Sequence, residues 1–397
     1  MVKKVKLFAL IIFVSVTFVG CKQYIKGRYE IDKLAFTRAI AVDKGENENV
    51  KVTIVSKSVT TQGDSGGTEA KKASVLSAEG RTVFEAIRKL NICSDKKPFF
   101  GHTEFILLGE ELAKEGIQPY IDFFTRDHEL RINAKVYFTK GVSASEFLEK
   151  TNTSEFFIGE RLANLENASG AVSISSEVPL VEVMFILDSP YLSLYVPCIE
   201  MTKVIEKSEQ DKDKYDICMI GYAIFKKGKL EGHLTMNEAR GLNWLRNLVD
   251  TGIIVVNDIK GQYVSLEIIK ANTKIVPLIN NDGNLKATVK VDLTTNIGGI
   301  VGYDNVLTMK NFEHLQNQQE EVVKEEILTV IEFAKEHEMD FFSLGTKFFQ
   351  KYPKVWENYE KNWGERVPTI NFDIQVDSNI NRSYLLNEPV SREGEKQ

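Results

Sequence analysis

The sequence predicts an α+β protein: a signal peptide, then a mixed α/β N-terminal domain, then a C-terminal region of antiparallel sheet and helices, three subdomains in all. Three observations predict it. Runs with period-two alternation, such as Val50 to Lys57 and Leu285 to Thr295, recur along the chain. Between them lie helical runs that open on capping-box patterns. One almost wholly charged or polar stretch, Glu206 to Lys214, divides the chain. The 397 residues are 43% hydrophobic and 27% charged, near the averages of globular proteins, so the chain is long enough for two or three domains with a sizeable core.

The first residues stand apart. Lys3, Lys4 and Lys6 precede an uncharged run of 14 residues from Leu7 to Gly20, and Cys21 follows at once. A bilayer-spanning helix needs about 20 apolar residues, and Ser15 and Thr17 interrupt this run, so residues 1–20 read as a signal peptide. Phe18-Val19-Gly20-Cys21 has the layout of a lipobox, with a small residue before a cysteine that would carry diacylglycerol after cleavage. Phe18 stands where leucine is usual. Each buried methylene contributes about 0.8 kcal/mol, so two acyl chains on Cys21 suffice to hold the chain on a membrane. Reversible palmitoylation of Cys21 suits a cytosolic site instead. Cleavage removes three lysines and no acid, taking the formal charge from -6 to -9. An acidic protein is expected to carry no basic lipid-binding face and no nucleic-acid role.

Residues 21–29 read as a lipid-anchored tether, 30–205 as the N-terminal domain, 206–214 as a linker, 215–390 as the C-terminal domain with a division near 258, and 391–397 as a disordered tail. Ala35 to Val42 is the expected partner of Val50 to Lys57, and Gln62 to Lys72, with three glycines, is a loop. Thr82-Val83-Phe84-Glu85, Ser143-Ala144-Ser145-Glu146 and Thr235-Met236-Asn237-Glu238 start helices. Thr103 to Leu108 and Asn133 to Thr139 are expected strands, with Pro119 opening a helix between them.

After the linker, Tyr215 to Lys226 and Lys229 to Leu234 flank Lys227-Gly228 as a hairpin. Gln262 to Ala271, Thr273 to Ile279 and Leu285 to Thr295 are expected strands. Asn311 to Glu338 is the longest helical candidate, with Leu315, Val322, Ile327, Val330, Ile331 and Ala334 on one face. Asp340 is expected to N-cap the next helix, and Thr369 to Asn379 to form the last strand.

Candidate chemistry is sparse. His102 and Glu104 lie two apart on a predicted strand and so share a face; His128 and Glu129 fall within the Arg126 to Arg131 cluster. Neither pair has metal-ligand spacing, so the expected roles are a structural hydrogen bond or ion pair for the histidines and their glutamates, and alternating salt bridges for Arg126, Asp127, Glu129 and Arg131. Asn296 to Gly302 has the glycines of a phosphate loop without the following Lys and Ser/Thr, and reads as a bend. The aromatic segment from Phe341 to Trp363 is expected to be core. Cys93, Cys198 and Cys218 are far apart in sequence and read as buried, inert thiols, with a disulfide left open. No catalytic residue, cofactor or metal is expected.

Several stretches resemble the Ger(x)C family of spore germination lipoproteins. Glu30-Ile31-Asp32, Leu34-Ala35-Phe36 and Ala39 to Gly45 are similar to its opening. Ala78 to Thr82 with Glu85-Ala86-Ile87, Gly101-His102, Leu108 to Ala113, Gly116-Ile117, and Arg126-Asp127 with Glu129 and Arg131 follow in the family's order. In the second half the similar segments are Gly221 to Phe225, Lys229-Leu230, Gly232, Glu238 to Trp244, Tyr352-Pro353, Trp356 and Trp363. Where the family has Trp-Asp after the cysteine, this chain has Lys22-Gln23, which implies a longer tether.

The resemblance implies a non-catalytic subunit of a spore germinant receptor, anchored through Cys21 on the outer face of the spore inner membrane. Its implied partners are an A-type membrane subunit with a large soluble domain and a permease-like B-type subunit, with germinant binding chiefly theirs. The alternative from a different class is a substrate-binding lipoprotein of a small-molecule transporter, which needs two similar α/β lobes around a cleft.

Overall fold

The computed structural model describes residues 30–47, 49–58, 73–126, 129–152, 157–170, 172–203, 215–301 and 308–383. The signal peptide, Cys21, the tether, the 62–72 loop, Asp127, His128, the 206–214 linker and the 391–397 tail lie outside the described residues.

The N-terminal half opens with β1 (Leu34–Lys44), β2 (Val50–Ser58) and β3 (Ala73–Gly80), an antiparallel meander in which β1 pairs β2 and β2 pairs β3. Helix α1 (Val83–Leu90) follows, started by Thr82, whose Oγ1 accepts from Glu85 N–H at 3.1 Å. Then come β4 (Lys97–Phe99), β5 (Phe105–Leu108), α2 (Glu110–Glu115), α3 (Gln118–Arg126), β6 (Lys135–Lys140), α4 (Ala144–Thr151), α5 (Ile158–Gly170), α6 (Leu180–Asp188) and β7 (Leu194–Lys203). Strands β1, β5, β6 and β7 run parallel, because helical crossovers join β5 to β6 and β6 to β7.

Helices cover both faces of this sheet. Ala39, Ala41, Phe105, Leu107 and Tyr137 pack with α4 and α5; Ile40, Val42, Ile106, Leu108 and Phe138 point the other way, toward α1, α2, α3 and α6. Burial on both sides is why β1 and β5 read as continuous apolar runs.

The sheet does not stop at the charged linker. β8 (Tyr215–Lys226) pairs antiparallel with β7, and β9 (Lys229–Leu234) with β8, so the order is β3-β2-β1-β5-β6-β7-β8-β9, with β4 beside the start of β1. The unit expected to begin at 215 thus gives its first two strands to the N-terminal sheet. The β8–β9 turn is as expected, with Lys227 (φ 51°) and Gly228 (φ 77°) both left-handed.

Helix α7 (Met236–Arg246) leads to β10 (Gly252–Asn257), β11 (Tyr263–Ile279) and β12 (Leu285–Ile300), an antiparallel meander. Where two strands are expected around Asn272, a single one forms, because β12 pairs without a break at Asn272↔Asp292. The glycine-rich stretch read as a bend also stays in β12 as far as Ile300, with register shifts taking up the irregularity. The long helix α8 (Met309–Glu336), α9 (Leu344–Lys351), α10 (Pro353–Glu360) and α11 (Trp363–Arg366) follow, and β13 (Asn371–Ser383) closes the second sheet parallel to β12. That parallel pairing suits a connection that runs through helices.

On α8 the buried stripe includes Leu315, Val323, Ile327, Val330, Ile331 and Ala334; Val322 is only partly buried. Phe341, Phe342, Phe348, Trp356 and Trp363 are buried and Tyr352 partly so, as expected of core, whereas Phe349 is exposed. Asp340 does not sit at the N-cap position, which Ser343 occupies. Its carboxylate reaches forward from three residues upstream, accepting from Leu344 N–H (2.9 Å), Gly345 N–H (2.6 Å) and Trp363 Nε1–H (3.0 Å).

Candidate functional site

A cleft of about 370 Å³ lies beside the middle of β1 and the N-terminal ends of β5 and β6, under α5. Its geometry starts with a bulge. Thr37 pairs with Ser56 and Ala39 with Val55, so Arg38 is the extra residue of β1. β4 pairs with Leu34 to Phe36 and β5 with Ala39 to Val42, and residues 100–104 step between them past Arg38. His102 therefore ends a single turn, Phe100–His102, and Glu104 precedes β5; neither is on the expected strand. Both still line the cleft.

Arg38 Nη2 donates to Glu104 Oε2 at 2.5 Å, and Glu104 N–H to Arg38 C=O at 2.9 Å. A Cβ at Gly159, in the first turn of α5, would come 3.3 Å from Arg38 Cβ, so a glycine there lets the helix lie close over the arginine. His102 is exposed, and its contacts are ring contacts with Phe36 (5.1 Å) and Phe99 (5.6 Å). Among the described residues it makes neither the hydrogen bond nor the ion pair expected of it.

Lys135, first residue of β6, is clasped by two acids, Glu166 of α5 and Glu177, the latter at 2.6 Å. Tyr137 O–H also donates to Glu166. Burial pushes the Glu166 carboxyl up, against the pull of Lys135 and Tyr137. Burial opposes the Lys135 ammonium, yet its bonds to Glu166 and Glu177 keep it above the ordinary lysine range. Tyr137 is pushed up by burial and then by Glu166, which keeps it a donor. Arg131 and Asn133, from the turn before β6, close the rim. Arg126 instead pairs with Asp122 one helical turn back, at 2.9 and 3.1 Å.

Of the cleft residues, His102, Glu104 and Arg131 are legible in the sequence as candidates, whereas Arg38, Lys135 and Glu166 are not. Arg38 left one signal, a charge inside the apolar run Leu34 to Val42. Lys135 and Glu166 left none, since they meet only through the fold.

Of the three thiols expected to be buried only Cys198 is; Cys93 is exposed and Cys218 half-buried, all three are free, and burial pushes the Cys198 thiol up to about 12. Among the described residues no three His, Cys, Asp or Glu side chains are grouped to hold a metal, and no helix is long and apolar enough to cross a membrane.

Two family profiles match consecutive parts of the chain: "Spore germination protein N-terminal domain" over residues 27–201 and "Spore germination B3/GerAC like, C-terminal" over residues 220–384. The chain belongs to the Ger(x)C family of spore germination proteins. Spore germination protein KC of Bacillus subtilis (strain 168) is 24% identical over 408 aligned residues, covering 99% of this chain and 99% of its own. Spore germination protein B3 of the same organism is 25% identical, covering 94% and 96%. The solved structure of the GerBC protein shares the fold, with a TM-score of 0.53 and 20% identity over 88% of this chain and 99% of that one.

In this Ger(x)C chain the signature residues mostly do structural work. Asp43 is buried at the end of β1, where its carboxylate accepts from the N–H groups of Ala144 and Ser145 at the start of α4, both at 2.7 Å. A Cβ at Gly109 would lie 1.9 Å from Asp43 Oδ1, so that position admits only glycine. Tyr222 O–H donates to Asn243 Oδ1 at 2.9 Å, joining the signature hairpin to the signature helix. Trp356 and Trp363 pack together with ring centroids 4.9 Å apart.

Proposed function

We propose that this chain is a non-catalytic, lipid-anchored subunit of a spore germinant receptor complex, needed for nutrient-triggered germination. The observation that carries the reading is the match of both family profiles in order along one chain, together with relatives that are spore germination proteins over almost their whole length. The transporter alternative loses its ground on the same finding. Its two similar lobes also have no counterpart in a nine-stranded mixed sheet beside a four-stranded one.

A supporting role suits the signature residues, which cap helices, pack tryptophans and join elements rather than converge on a reacting atom. The proposed partners are an A-type membrane subunit and a permease-like B-type subunit. Cys21 supplies the anchor, on the outer face of the spore inner membrane, since two acyl chains hold a protein there without a spanning helix.

The test is complementation. Spores lacking the chain should respond poorly to nutrient germinants, and the wild-type chain supplied in trans should restore the response. The Cys21→Ala chain should leave the detergent phase and fail to restore it. A Cys21→Ala chain that still partitions with lipid removes the anchor from the reading; unimpaired germination without the chain removes the receptor role.

A further inference from the structure

Two hydrogen-bonding groups of cleft residues are buried and unpartnered among the described residues: Arg38 Nε–H and the Thr103 hydroxyl. Thr103 is only 2% exposed. Native proteins rarely leave such groups unsatisfied, because a buried donor without an acceptor loses its hydration with nothing in return. At the rim, Arg131 is exposed and pairs with no acid among the described residues, and Asn133 beside it offers an amide. Glu104 is already held by Arg38, and Lys135 by its two acids. The free hydrogen-bonding capacity of the cleft is therefore weighted toward donors, and Arg131 is the one charged lining residue without an ion-pair partner among the described residues. About 370 Å³ is within the range of small-ligand pockets and equals roughly a dozen waters.

We propose that this cleft binds one small oxyanion, a carboxylate or a phosphate group. Arg131 neutralises its charge, and Thr103 and Arg38 donate to its oxygens. That chemistry has two sources, a free acid or a phospholipid headgroup. The second rests on the Cys21 anchor, which would hold the chain against a membrane that carries such headgroups. The receptor role is not needed for either.

The test is calorimetric titration of the full chain with sodium acetate, sodium succinate and inorganic phosphate at fixed ionic strength, with sodium chloride as blank. In parallel, the Cys21→Ala chain is floated with phosphatidylglycerol or phosphatidylcholine vesicles. The expected result is saturable binding of one acid, or flotation with phosphatidylglycerol, weakened at least about tenfold by Arg131→Gln and by Thr103→Val. Arg131 is exposed and valine keeps the shape of threonine, so both variants should melt like the wild type. Saturation by a soluble acid assigns the free source, and flotation alone assigns the headgroup. Absence of any response, or a response that both variants leave intact, overturns the proposal.

Discussion

Arg240 of α7 and Glu326 of α8 meet as a two-pronged ion pair, Nε reaching Oε1 at 3.1 Å and Oε2 at 3.0 Å while Nη2 also contacts Oε1. Trp244 Nε1–H donates to the same carboxylate at 2.9 Å, and Arg240 Nη1 donates to Ile253 C=O in β10 at 2.8 Å. The Glu326 side chain is 11% exposed and that of Arg240 16%. The cluster thus joins the helix that follows the first sheet to the helix that packs on the second. Removing one partner of such a pair strands the other charge, which costs about 3 to 5 kcal/mol. Glu326→Ala should therefore lower the unfolding free energy by that order in urea titrations. A loss under about 1 kcal/mol would mean the pair adds nothing at this junction.

The Asp43 carboxylate is a helix cap supplied from a strand a hundred residues earlier in the chain. Asp43→Ala leaves two buried amide groups and the Ser145 hydroxyl without their acceptor. The expected cost is about 3 kcal/mol, read as a lower melting temperature with early loss of amide protection in α4. Unchanged protection there would contradict the capping role.

His233 of β9 is half-buried against Phe138, with Lys140, Lys114 and Glu110 around it and its Nδ1 unpartnered. Burial, then the lysines, lower its pKa from the ordinary 6.5, against the pull of Glu110. Below that value the unfolded chain binds the proton more readily than the folded one, so this contribution to stability is present above it and lost as the pH falls. The melting temperature of the wild type should drop more between about pH 7.5 and pH 5.5 than that of His233→Gln. Parallel profiles would show that other groups set the acid dependence.

Thiol reactivity separates the cysteines. Cys93 is exposed, and Cys198 is buried with its thiol pushed up to about 12. Under native conditions a maleimide should label Cys93 rapidly and Cys198 only after unfolding. Rapid native labelling of Cys198 would mean that β7 opens readily.

Much of the fold is legible because its signals are local. Thr82, Ser143 and Thr235 each start a helix, and the hairpin turn falls on Lys227-Gly228. What the sequence hides depends on distant partners. β12 keeps β11 whole through Asn272, β7 and β8 pair across the charged linker, and β13 enters parallel because helices carry the chain back. The candidate site divides the same way. His102 and Glu104 stand out as chemical residue types, whereas Arg38 is placed by a bulge and Lys135 by a glutamate on α5. Family motifs mark the frame rather than the cleft: Asp43 and Gly109 lock a strand to a helix.

The most direct measurement of the central claim is co-purification from spore membranes with a tagged form of the chain. An A-type subunit and a permease-like B-type subunit should be recovered together with it in gentle detergent. Recovery of the chain alone, or with a transporter's components in their place, would contradict it.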